Sequence, residues 1–117
     1  MGYYTDFHLD VEIYNKEDKW YEPAPENILK QVQECFCKLF DWGCDENDFN
    51  WIIHHTINWK WYDHENDMKK LAKLFPDLYF TLEGKGEEVT DIWVKQFHGD
   101  EYYEDFAQIA YPEKKWE

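Results

Sequence analysis

The chain has 117 residues, enough for one domain with a modest core, and its 26 Asp and Glu stand against 12 Lys and no Arg, a formal net charge of −14. The acids are interleaved with 7 Trp, 9 Tyr and 8 Phe, which excludes a disordered acidic tail and describes a folded protein with an acidic coat. Such a coat repels phosphate backbones and attracts basic protein surfaces; no stretch approaches the ~20 apolar residues of a membrane helix.

Residues 3 to 14 alternate. Thr5, Phe7, Leu9, Val11 and Ile13 fall on one side, and Tyr4, Asp6, His8, Asp10 and Glu12 on the other, the period of a half-buried strand. Asn15 to Pro25 reads as a polar loop. Pro25 and Glu26 suit the first turn of a helix, because proline lacks only a donor that would be orphaned there. Ile28, Val32, Cys35, Phe36 and Leu39 continue at helical spacing. Asp41 to Asp48 reads as a turn-rich acidic loop. Over residues 49 to 62, Phe49, Trp51, Ile53, His55, Ile57, Trp59 and Trp61 alternate with mostly polar neighbours, which predicts a long strand with a bend or bulge. Asp63 or His64 caps a second helix whose buried stripe is Met68, Leu71, Ala72 and Phe75, and Pro76 stops it.

Leu78, Phe80 and Leu82 alternate as a strand, and Gly84 to Glu88 reads as a flexible connection. Residues 92–97 and 102–111 predict two strands joined at His98-Gly99-Asp100-Glu101, with Pro112 to Glu117 a frayed tail. The order strand, helix, strand, helix, strand, strand, strand predicts a single acidic α+β domain over residues 1–117. Its expected plan is a ferredoxin-like antiparallel sheet with two helices on one face and a C-terminal β-hairpin extension.

The residue clusters that invite chemistry have plainer readings. His54 and His55 point to opposite faces of a strand, so with His64, Asp63 and Glu65 they read as core-edge and capping residues rather than metal ligands. Cys35, Cys37 and Cys44 fit no zinc spacing, and their odd number argues against a disulfide framework. Gly84-Lys85-Gly86 lacks the ending of a phosphate loop, and Asp45-Glu46-Asn47-Asp48 lacks the calcium-loop pattern. The chain has no Ser, which removes serine nucleophiles. Trp51, Trp59, Trp61 and Trp93 read as core and sheet packing; Trp20, Trp42 and Trp116 lie in loops or the tail and read as candidate interface anchors.

Two segments, Lys60-Trp61-Tyr62-Asp63-His64-Glu65 and Leu82-Glu83-Gly84-Lys85-Gly86-Glu87-Glu88 followed by Asp91-Ile92-Trp93, carry a resemblance, together with the Met-Gly-Tyr-Tyr-Thr opening. The chain resembles small uncharacterised proteins of phages and mobile elements across positions 60 to 97 and the first strand. It departs from them at Lys85, where an acid is usual, and at the Gly99-Asp100 turn. The resemblance implies a phage-like origin and a ferredoxin-like fold, and no catalytic residues. By analogy, small acidic phage proteins often inhibit host defence nucleases, sometimes by mimicking DNA.

The expected function is therefore a non-enzymatic, phage-type inhibitor that occupies a basic, nucleic-acid-binding surface of a host defence protein, an anti-CRISPR or similar. The expected contact residues are Glu87, Glu88, Asp91, Asp100, Glu101, Glu104 and Asp105, with Tyr102 or Tyr103 as the aromatic anchor. A small enzyme or nucleotide-binding module using the His54, His55 and His64 region, and a phage structural or assembly adaptor, are the alternatives. No cofactor, metal, membrane or direct nucleic-acid contact is expected. The Met1 to Asp6 opening has no secretory pattern, so the expected compartment is the host cytoplasm.

Overall fold

Strict alternation makes the first strand the spine of the sheet. The computed structural model describes residues 4–40, 43–88 and 91–106. Among them, β1 (Thr5–Asn15) and β2 (Trp20–Pro23) form a hairpin, followed by α1 (Glu26–Cys37) and α2 (Glu46–His54). β3 (Ile57–Trp59) precedes α3 (His64–Leu74), and β4 (Tyr79–Gly86), β5 (Ile92–His98) and β6 (Glu101–Phe106) run as a meander. The sheet order is β2-β1-β4-β5-β6, with β3 also beside β1, and every pairing is antiparallel. β1 pairs with β4 along one edge, Thr5↔Gly86 to Glu12↔Tyr79. Its other edge is shared by two short strands, β3 opposite Thr5 to Phe7 and β2 opposite Glu12 to Asn15.

The protein is thus α+β with a mainly sequential antiparallel sheet, but with three helices among the described residues where two were expected. β3 and β4 both run antiparallel to β1 from its two sides. The β3–α3–β4 connection therefore links two strands that flank β1. Among the described residues α1 is followed by α2, where a strand was expected.

The predicted 49–62 strand is the main correction. Asp45 and Asp48 form a reciprocal capping box, each carboxylate accepting from the other's backbone N–H at 3.1 and 3.2 Å, and this starts a helix at Glu46. Phe49 and Ile52 are buried and Ile53 is partly so, at helical spacing, while Trp51 turns outward and is 55% exposed. Only Ile57–Trp59 of that segment is strand. Two other boundaries move. The expected loop at Asn15 to Pro25 contains β2, and β4 extends through the glycines to Gly86. The expected continuation of the last strand over 107–111, the tail over 112–117, and Trp42 lie outside the described residues.

α1 and α3 follow the sequence. Pro25 precedes α1 and its carbonyl accepts from Ile28 and Leu29, and Val32 and Phe36 are buried. Met68, Leu71 and Ala72 are buried on α3. They join one core with Phe7, Leu9 and Val11 of β1, Phe80 and Leu82 of β4, and Trp93 and Phe97 of β5. Gly84 sits in register between Phe7 and Trp93, whose rings meet edge to face at 6.0 Å. A Cβ at Gly84 would overlap the Trp93 indole, so this glycine is a packing requirement rather than a hinge.

Candidate functional site

Alternation gives the sheet a second face, opposite that core. The register aligns Asp6, His8, Asp10, Glu12 and Tyr14 of β1 with Lys85, Glu83, Thr81 and Tyr79 of β4. The same face continues through Ile92, Val94, Gln96 and His98 of β5 to Glu101, Tyr103 and Asp105 of β6. On these strands the acids Asp6, Asp10, Glu12, Glu83, Glu101 and Asp105 face one lysine, Lys85. His8 is held between two acceptors: its ring nitrogens lie 2.7 Å from the His55 carbonyl and 3.2 Å from Asp10 Oδ1. Burial alone would lower its pKa; the His55 carbonyl and the Asp10 and Glu83 carboxylates outweigh burial and hold it above 6.5.

An aromatic row crosses this face. Tyr14 stacks on Tyr21 at 5.0 Å, Tyr21 meets Tyr79 edge-on at 4.9 Å, and Tyr79 lies parallel to His98 at 3.8 Å. His98 is fixed by donating Nδ1–H to the Leu78 carbonyl at 3.0 Å. Beside the row is a groove of about 420 Å³ flanked by Glu12, Gln96, Glu101 and Tyr103. The Tyr103 hydroxyl donates to Glu101 Oε2 at 2.9 Å, which raises its pKa. Desolvation, then Tyr21 and Glu101, raise that of Tyr79. A second groove of about 470 Å³ runs between α1 and α2, but Glu26 and Glu46 there are mixed with Lys30 and His54, so it has no field of one sign.

The expected contact residues divide. Among the described residues Glu101, Tyr103 and Asp105 stand exposed on this second face, and Tyr103 is 60% exposed. Tyr102 and Glu104 point the other way. The Tyr102 hydroxyl donates to Glu65, Lys69 Nζ sits 4.4 Å over its ring, and Glu104 lies 3.7 Å from Lys95 Nζ. Of the two candidate anchors, Tyr103 is the one free to meet a partner. Glu87 and Glu88 are exposed beyond β4, and Asp91 is half-buried just before β5. Glu87 Oε2 accepts from the Tyr4 backbone N–H at 2.8 Å. These three lie at the far end of β5 from exposed Asp100 and Glu101, about 20 Å away at ~3.3 Å per residue.

The three histidines of the alternative reading are not brought together either. His54 and His55 end α2, while the His64 ring packs against Phe7, Trp61 and Trp93. His64 Nδ1–H donates to the Trp61 carbonyl at 2.9 Å, and its Nε2 accepts from Lys95 Nζ at 2.7 Å. Burial first, and the Lys95 charge, hold its pKa below 6.5 despite that carbonyl, so the neutral ring is already occupied at both nitrogens. Among the described residues, no group of three His, Cys, Asp or Glu could hold a metal ion. Cys37 and Cys44 both direct their thiols at the Asp45 carbonyl, and burial beside Cys37 pushes the Cys44 thiol well above its usual range. No helix of the described residues is long and apolar enough to cross a membrane.

Sequence reasoning missed the aromatic row. Tyr14, Tyr21, Tyr79 and His98 sit on four strands, and their only signal was the register of strands not yet paired. Comparison with protein-family models, with curated proteins and with solved structures finds no match.

Proposed function

We propose that this protein is a non-enzymatic binding protein whose uncovered sheet face occupies a basic surface of another protein, in the manner of a phage inhibitor seated in a nucleic-acid-binding cleft of a host defence protein. Its scaffold is read as a ferredoxin-related sheet with helices on the opposite face. One observation carries the proposal: six carboxylates against one ammonium on the strand residues of a face with no core of its own. Like charges set on one rigid surface repel one another, a standing cost that partner binding offsets by placing cations opposite them. The inhibition is steric and electrostatic competition for the surface that would otherwise hold a phosphate backbone, and anti-CRISPR activity is one instance of that class.

The test has two stages. The full chain is used as bait in bacterial lysate at low and at high salt, and each recovered protein is assayed for nucleic-acid binding with and without the chain. The expected partner is basic, is released by salt, and loses its nucleic acid when the chain is added. The reversal of Glu83, Glu101 and Asp105 to Lys is expected to slow association, most at low salt. A partner whose association is unchanged by both salt and the reversal would overturn the proposal.

A further inference from the structure

We infer that the groove beside the Tyr21–Tyr79–His98 row is a receptor site for a single arginine side chain of the basic partner. The inference rests on the acidic-face reading above and adds to it a defined pocket and a defined occupant.

Three features of the groove select that occupant. The first is its walls. Tyr103 is 60% exposed, so its ring is open to a ligand, and Tyr21 stays more than half exposed although Tyr14 stacks on it. Tyr79 is held rigid between Tyr21 and His98. Aromatic faces are negative at their centres and attract cations, and a planar guanidinium stacks on them as an ammonium cannot. The second is its charge. Glu12 and Glu101 both line it and, among the described residues, no lysine does. Glu101 has one oxygen committed to the Tyr103 hydroxyl, which orients the carboxylate, and its other oxygen is not used by that bond. The phenols of Tyr79 and Tyr103 are both held above their usual pKa, with Glu101 among the causes, which reports a negative local potential. The third is size. About 420 Å³ lies at the small-ligand end of the range for binding clefts, suited to a side chain or two rather than a folded segment. A guanidinium lying along the exposed Tyr103 ring would present its edge N–H groups to the carboxylates and to Gln96, donors meeting acceptors.

The experiment uses the isotope-labelled full chain and three capped tripeptides with central arginine, lysine or citrulline, the last isosteric with arginine and uncharged. A fourth probe, oligolysine, tests the acidic face as a whole. The arginine peptide is expected to shift the resonances of Tyr79, Gln96, His98 and Tyr103 saturably, and the citrulline peptide to leave them in place. Tyr103→Ala and Glu101→Gln are each expected to weaken arginine binding by about two- to fivefold, with the rest of the spectrum confirming the fold. Tyr103→Phe, which frees Glu101 without removing a ring, serves as the milder variant and is expected to change affinity less. Three outcomes would overturn the inference: shifts spread evenly over Asp6, Glu83 and Asp105, lysine binding as tightly as arginine, or no localised shift at all. In each of these, oligolysine binding would leave the acidic-face reading standing, and its failure to bind at low salt would remove that reading separately.

Discussion

The two faces of this sheet are built from alternate residues of the same strands, yet they answer to different demands. On the packed face Phe7, Leu9, Phe80, Leu82 and Phe97 are almost fully buried, and even the polar Lys95 is matched to His64 and Glu104. On the other face six acids accumulate against the single strand lysine Lys85, and aromatic rings stack or meet edge to face. The contrast teaches that composition alone misleads here. The acids are not evenly spread over the strands; six of them share one face with a single strand lysine.

The largest effects should come from the packed face. Phe36→Ala removes a ring that meets Phe40, Phe49 and Trp61, and is expected to cost about 3–5 kcal/mol by chemical denaturation. Gly84→Ala adds one methyl where the Trp93 indole lies, and about 1–3 kcal/mol of destabilisation is expected from the same measurement. A neutral Gly84 variant would mean that Trp93 does not lie across the strand as described.

Neighbouring residues of β6 give the finest comparison. Glu104→Lys sets a second ammonium beside the buried Lys95 and is expected to destabilise by about 1 kcal/mol. Asp105→Lys, one residue on and facing outward, should change stability by less than about 0.5 kcal/mol while weakening a basic partner. Equal stabilities for the two variants would erase the distinction between the faces.

The pH dependence has opposite signs on the two faces. The lowered pKa of His64 means that folding favours its neutral form. Its contribution is fully present above the unfolded value of about 6.5 and is lost as pH falls through the folded value. His8 has a raised pKa, so its contribution is fully present below about 6.5 and is lost as pH rises through the folded value. Between pH 7 and pH 5, roughly the range over which histidine titrates, His64→Gln should lose less stability than the wild type and His8→Gln should lose more. Denaturation midpoints across that range check both signs, and identical slopes in all three proteins would refute them.

Much of the packed face could be read from the sequence. The alternation of Phe7, Leu9 and Val11 and the helical spacing of Val32 with Phe36 and of Met68, Leu71 and Ala72 lead directly to buried residues. The segment from Phe49 failed because Phe49, Trp51 and Ile53 satisfy a strand period while Phe49, Ile52 and Ile53 satisfy a helical one. The Asp45–Asp48 capping box just before it was the signal that decides between them. β2 was not legible, since Trp20 to Pro23 is short and lacks an apolar alternation. The open face was half legible. Its acids were visible as clusters, but which of them share a surface depends on register, and register separates Glu101 and Asp105 from Glu104.

The place of β1 also sets an order of assembly. β4, β5 and β6 are joined by short turns and can pair as soon as each is made, whereas Thr5 must find Gly86 across most of the chain. Closing that loop carries an entropic cost before any contact repays it, so β1 is expected to dock late, onto a meander and helices already in place. Truncating Leu9 should therefore quicken unfolding and leave the refolding rate nearly unchanged, while truncating Phe97 should slow refolding. Stopped-flow chevrons of the two variants would reveal the reverse order if β1 were part of the nucleus.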